Sequence, residues 1–336
     1  MDRFPPVWTG VAAAAVLAAC NDAGTGPRLS DPAATAAALS SVDSALTAPV
    51  VTSFAVFGSD INPAPFFTRA ASAALGPVVP DTLYGAIFTW NPDSARYLRT
   101  QTSGGPPNGV RYVLYAVDPG TGDIVMPLVS IGAADLLDES TPITGIMHVR
   151  VADSLGATYL DYTATLVSRV VFFTAAVSGF VTNAASGPAH KTLTFSITAQ
   201  MDLTTRTAQA SFTLNAPAVS VGLEATSTKL QGTETASLTY TLSRPGETLR
   251  QQGYLTTTND VLDTLSAEIR VNEQVYASVE ANAQSATFYD RNGIVITDAG
   301  VQHDVLQALG HLRRSVENTL ALVQSLFNPI ENLLTK

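Results

Sequence analysis

Between residues 192 and 297 the chain changes character at every second position. Over Thr192–Met201, the residues Leu193, Phe195, Ile197, Ala199 and Met201 alternate with Thr, Ser and Gln. In 207–215, Ala208, Ala210, Phe212 and Leu214 do the same, and the period returns in 219–225, 236–242, 265–271 and 275–281. A repeat of two residues puts one set of side chains on a buried face and the other in water, so each segment reads as a half-buried strand. The connections 202–206, 231–234 and 272–273 are short enough for hairpins. Asp290-Arg291-Asn292-Gly293 reads as a further turn, with Gly293 free to take positive φ. Such a chain folds as an antiparallel meander. No motif recurs from hairpin to hairpin, which leaves solenoids and propellers without support.

Upstream, 83–90 and 110–117 are apolar on both faces, as in central strands. Gly104 to Gly109 (GGPPNG) separates them as a loop. The segments 143–151, 157–166 and 170–181 continue the series. Residues 51–57 read as a strand, and the proline-rich stretch to residue 80 as irregular chain. A helix is expected over 31–47, with Asp31 as N-cap and Pro32 at the first helical position; Ala34, Val42 and Leu46 keep helical spacing, and Pro49 ends it. A long helix is expected over 299–327, with a short continuation over 329–335. Val301, Val305, Leu309, Leu312, Val316, Leu320, Val323 and Phe327 form its stripe, Asp298 caps it, and Asn328-Pro329 breaks it. The expected fold is α+β: a large curved antiparallel sheet covered on one face by the N-terminal and C-terminal helices. The alternative is a β-sandwich with a terminal helix. The buried face of the meander carries many small residues: Ala199, Ala208, Ala210, Ala225, Ala236, Ala267, Ala277 and Ala281. A helix packed on them, or an apolar ligand, would fill that space.

The first residues, MDRFPPVWTGVAAAAVLAAC, place Arg3 before an apolar run over 11–19 that closes on Leu17-Ala18-Ala19-Cys20. The run is too short to span a bilayer, which takes about 20 residues, and has the length of a signal-peptide core. Cys20 is the single cysteine of the chain. This leader resembles a bacterial lipoprotein signal peptide. The resemblance implies that residues 1–19 are removed, that Cys20 is lipidated and that its acyl chains anchor the protein in a membrane. Asn21 in place of Asp after the cysteine implies the outer membrane. Residues 20–30, the lipidated Cys20 and a polar stretch with glycines, then act as a flexible tether of at most about 35 Å, followed by a single α+β domain over 31–336 that is β-rich over 83–297. With Cys20 consumed, no disulfide, cysteine-ligated metal or thiol nucleophile is possible.

The formal charge is −10, and only 14% of residues are charged against 46% hydrophobic. Scattered Lys and Arg speak against nucleic acid as a partner. Four histidines, His148, His190, His303 and His311, are the first candidates for chemistry. His148 alternates with Met147 and Val149 in a strand, and His190 follows Gly187-Pro188-Ala189 in a loop. His303, Gln307 and His311 share a helix face, but the histidines stand two turns apart, roughly 12 Å, too far for one metal. Asp118-Pro119-Gly120-Thr121-Gly122-Asp123 lacks the carboxylate spacing of an EF-hand and reads as a turn. Asp135, Asp138 and Glu139 read as an exposed acidic loop. Neither Ser178-Gly179 nor Ser186-Gly187 completes G-x-S-x-G. No catalytic residue, cofactor site or metal site is therefore assigned, and the chain is not expected to be an enzyme.

Anchor, meander and long helix together resemble the half-barrels of lipoprotein-sorting factors and mycobacterial lipid-carrying lipoproteins. No residue motif is shared, so the resemblance assigns no site. It implies a hydrophobic ligand, such as an acyl chain, held between sheet and helices. The other expectation is a non-enzymatic, lipid-anchored envelope protein with a structural or protein-interaction role.

Overall fold

The computed structural model describes residues 49–60, 77–169, 172–184, 190–259 and 261–298. The leader, Cys20, the tether, the helices expected over 31–47 and 299–327, and His303 and His311 lie outside these residues. The chain divides into two compact units, whose described parts are 49–198 with 214–216, and 199–213 with 217–298.

The first unit opens with α1 (Pro49–Asp60) and a 3-10 turn at Asp81–Leu83. Strands β1 (Ala86–Asn91), β2 (Arg96–Ser103), β3 (Gly109–Tyr115), β4 (Ser130–Asp138), β5 (Gly145–Asp153), β6 (Thr158–Arg169), β7 (Phe172–Thr182) and β8 (Thr192–Met201) follow. The second unit holds β9 (Thr205–Asn215), β10 (Ala218–Leu230), β11 (Thr233–Arg244), β12 (Glu247–Thr258), β13 (Val261–Val271), β14 (Gln274–Ala281) and β15 (Ala286–Asp290). The strands belong to one large open mixed sheet, in sequence order from β15 down to β3 and then β1 and β2.

Two corrections follow. Residues 51–57 are helical, and Pro49 starts this helix instead of ending one. Proline lacks an N–H, which costs nothing at the first helical position. Val50, Val51, Phe54 and Phe57 recur at steps of three and four and are all buried, so packing overrides the β preference of the valines. The meander is also not antiparallel throughout. β1 pairs with β2 in a hairpin, and β3 then returns to the free side of β1 and runs parallel to it.

α1 packs across β3, β4, β5 and β6. The Ser53 hydroxyl donates to the Tyr115 carbonyl at 2.6 Å. Phe57 lies against Tyr112, centroids 4.3 Å apart, and Phe88 stacks on the same ring at 4.8 Å. Beneath the helix, Tyr112, Ala134, Val151, Leu160 and Val181 form one buried row across five strands, each directly opposite the next. In the next row Tyr162 faces Gly179, where an added Cβ would stand 2.3 Å from the Tyr162 Cβ. Only glycine fits there.

In the second unit the expected hairpins form. Gln231 and Gly232 both take positive φ (50° and 84°), as do Asn272 and Glu273 (50° and 64°), the backbone of primed two-residue turns. The Gly293 turn also forms, with φ 74°. β12 was not anticipated: Arg250, Gln251 and Gln252 interrupt the alternation, and a register shift sits at Thr256/Thr257.

Candidate functional site

Two surfaces gather polar groups or small residues. One is the outer face of β3–β6. Arg111, Asp135, Arg150 and Asp161 stand directly opposite one another across four strands, alternating in charge. Arg111 makes a two-pronged pair with Asp135 at 2.6 and 2.7 Å, and that hydrogen bond pushes the Arg111 pKa above its ordinary value. Arg150 donates to the Thr158 hydroxyl at 3.3 and 3.2 Å. His148 Nε2 lies 2.8 Å from Asp161 Oδ1, and its Nδ1 lies 3.5 Å from Glu139 Oε1. A general base needs a free ring nitrogen turned to its substrate, and a metal site needs carboxylates converging with one nitrogen. His148 instead faces a carboxylate on each side. This row ties strands together through cross-strand pairs.

The acidic cluster is not an exposed loop. Asp135 and Asp138 lie on β4 and point to opposite faces, because successive strand residues alternate. Asp135 faces Arg111. Asp138 is buried and accepts the N–H groups of Val79 at 2.8 Å and Ser140 at 3.0 Å. Glu139 turns to His148. The three do not share a site.

Asp118 is spent within its own turn, its carboxylate accepting Gly120 N–H at 2.7 Å and Thr121 N–H at 3.2 Å. His190 Nε2 meets the Thr192 hydroxyl at 2.7 Å. Ser178 sits within β7, and Ser186 lies outside the described residues. Among the described residues, no three His, Cys, Asp or Glu side chains gather as a metal would require.

The second surface is the buried face of β10–β14. Ala225, Leu238, Gly253, Ala267 and Val279 are directly opposite in one row, and Leu223, Tyr240, Gln251, Ile269 and Ala277 in the next. Of the alanines named from the sequence, Ala210, Ala225 and Ala277 are buried and Ala199, Ala208, Ala236, Ala267 and Ala281 half-buried. The Tyr240 hydroxyl is buried and meets no hydrogen-bonding partner among the described residues, and burial drives its pKa well above the ordinary tyrosine range. Toward one end of the face Ser227 donates to Glu234, both side chains buried. Toward the other, Arg244 and Glu247 form a two-pronged ion pair. Neither Tyr240 nor Glu234 drew attention in the sequence. The signal was the register: both fall at inward positions of β11, where an apolar residue is the norm. The face offers apolar surface, shallow relief at alanine and glycine, and one unspent hydroxyl; nothing on it is arranged as a nucleophile with its base.

Compared with known proteins, the chain matches no family model, no curated sequence and no solved structure.

Proposed function

We propose that this chain is a lipid-anchored protein of the bacterial envelope, held in the outer membrane through acyl chains on Cys20, with a non-catalytic role in structure or protein contact. The observation that carries this reading is the apolar run over 11–19 closing on Leu17-Ala18-Ala19-Cys20. A chain with a single cysteine, placed at the end of a leader, has no disulfide to form with it. The paired nitrogens of His148 and the dispersal of Asp135, Asp138 and Glu139 support a role without catalysis. Changing Cys20 to Ala tests the reading. Acyl labelling should vanish, and the protein should leave the membrane fraction or stall before maturation. A Cys20→Ala protein labelled as before would sink it.

The covering layer of the second unit belongs to the same reading. The stripe from Val301 to Phe327 is the apolar face that the chain has left to lay on β10–β14. On this reading the sheet would be the curved, helix-covered α+β sheet expected from the sequence.

The Tyr240 hydroxyl favours a second reading. A buried hydroxyl without a partner costs about 1–3 kcal/mol, and an amphiphile whose oxygen accepts from Tyr240 while its chain lies along Ala225, Gly253 and Ala267 would remove that cost. Native mass spectrometry separates the two readings. A co-purified lipid mass supports a carrier, and a bare chain supports the structural role.

A further inference from the structure

On the outer face of β10–β12 most side chains carry a hydroxyl. Over Ser220–Leu230, Thr233–Ser243 and Thr248–Thr258 every second residue belongs to that face, and of these only Glu224 and Arg250 are charged. A wet surface ordinarily carries charge at about a quarter to a third of its positions. Within this face stands Tyr254, 61% exposed. Of the described tyrosines and tryptophans it alone is exposed.

An aromatic ring on a sheet face ordinarily packs on an aromatic or β-branched residue directly across the strand. Tyr254 has Ser237 opposite on one side and Ser266 on the other, with Gln252 and Thr256 two places along its own strand. The four diagonal positions hold Thr235, Thr239, Thr264 and Glu268, and the Glu268 carboxylate is taken up by Arg270 at 2.6 Å. Among the described residues, neither the Tyr254 hydroxyl nor any of these uncharged side chains hydrogen-bonds another group. Nearer the strand ends the hydroxyls are spent: Thr248 donates to Ser243 Oγ at 3.4 Å and Thr258 to Asp263 Oδ2 at 2.7 Å. The ring therefore adds no cross-strand packing to the sheet, and the groups around it are open to a ligand.

A sugar ring has an apolar side of C–H groups and a rim of hydroxyls that both donate and accept. An exposed aromatic ring covers the first. Ser, Thr and Gln side chains, which also donate and accept, meet the second. We infer that Tyr254 is the platform of a binding site for a neutral, linear polysaccharide. The length of the ligand follows from the register. Thr226, Ser237, Tyr254, Ser266, Glu280 and Thr287 stand directly opposite one another in one row across β10–β15. At about 4.8 Å per strand that row spans roughly 24 Å, room for several sugar units. Charge and composition decide against other partners. With Glu268 paired to Arg270, the neighbours of the ring are neutral, so nucleic acid or another polyanion finds no counter-charge. Serine is depleted at protein interfaces, and Ser and Thr rarely carry their binding energy, which disfavours a protein partner.

The test uses the full chain in a polyoxyethylene detergent, which carries no sugar. Native gels are cast with hydroxyethylcellulose or glycol chitin, two neutral linear glycans, and with polygalacturonate as the anionic control. At least one neutral gel should retard the chain, and polygalacturonate should not. Tyr254→Ala should weaken that retardation about tenfold, and Tyr254→Phe should keep it, because the ring stacks through its face. Ser266→Arg, which fills the row beside the ring, should weaken it as well, and keeps the test decisive should Tyr254→Ala fail to fold. No retardation in either neutral gel overturns the inference. So does retardation that survives both Tyr254→Ala and Ser266→Arg, or retardation by polygalacturonate alone. A dimer in sedimentation that Tyr254→Ala dissolves means that the ring meets a second copy of the chain, and also overturns it.

Discussion

In the first unit the buried face of β3–β6 lies under α1, whose Val50, Val51, Phe54 and Phe57 fill it. In the second unit the face of β10–β14 is buried less completely, with Leu238, Gln251, Ala267 and Val279 only half-buried, and no described helix belongs to that unit. Leu242, Leu255, Leu265 and Ile269 are all buried there. A sheet cannot hide one face by itself; a second layer must lie on it. The difference teaches where to look for function. A face covered by an adjacent helix is core and little else. The β10–β14 face carries the small residues Ala225, Gly253 and Ala267, while each face holds a buried hydroxyl without a hydrogen-bonding partner among the described residues, Tyr112 on the first and Tyr240 on the second.

The largest expected effect comes from ending the chain at Gly300. The stripe removed holds Val301, Val305, Leu309, Leu312, Val316, Leu320, Val323 and Phe327. At about 1.5–3 kcal/mol for each buried side chain, its loss exceeds a typical total stability of about 5–15 kcal/mol. Hydrogen exchange should show β10–β14 losing protection while β3–β6 keep theirs. A truncated chain that stays folded and binds a hydrophobic dye would instead make the stripe a lid over a ligand site. One that stays folded and binds no dye would contradict both.

Next comes the helix that is in place. Phe57 is fully buried against Phe54, Tyr97 and Tyr112. Phe57→Ala should cost the first unit about 3–5 kcal/mol, read from the denaturant midpoint of Trp90 fluorescence, with exchange in β10–β14 unchanged. A loss under about 1 kcal/mol would mean that α1 covers its sheet less tightly than its burial implies.

Alkali gives the smallest effect and still separates the units. Burial raises the pKa of Tyr112 and Tyr162 in the first unit and of Tyr240 in the second. A folded pKa above the unfolded one contributes stability that is whole below the unfolded value of 10.0 and is lost as pH climbs beyond it. Each such tyrosine should remove about 1.4 kcal/mol per pH unit above that point, so the first unit should weaken about twice as steeply as the second. Tyrosinate absorbance would show these three ionising only as the chain unfolds. All ten tyrosines titrating together in the folded protein would contradict the burial argument.

How much of this was readable in the sequence also follows the division. The second unit was largely legible, because its strands keep one face wet and the period of two survives in Thr192–Met201 and onward. β12 escaped because Arg250, Gln251 and Gln252 break the period, and β15 because it is short. The first unit was harder. The carboxylates of Asp135, Asp138 and Glu139 suggest an acidic loop: Asp135 and Asp138 look alike in sequence, and only strand β4 sends one to Arg111 and the other inward to Val79. β2 has few apolar residues because it is an edge strand, exposed along most of its length. α1 was masked by two valines and a proline whose helical spacing was legible but outweighed by their β preference. The Tyr240 hydroxyl and the neighbours of Tyr254 could not be read at all, since both depend on cross-strand register and not on any local motif.

The envelope reading depends on Cys20, and the intact mass of the protein extracted from membranes tests it most directly. The account predicts a mature chain that begins at Cys20, lacks residues 1–19, and carries the added mass of a diacylglyceryl group on that residue. A chain that begins at any other residue, or one that begins at Cys20 with an unmodified thiol, would contradict it.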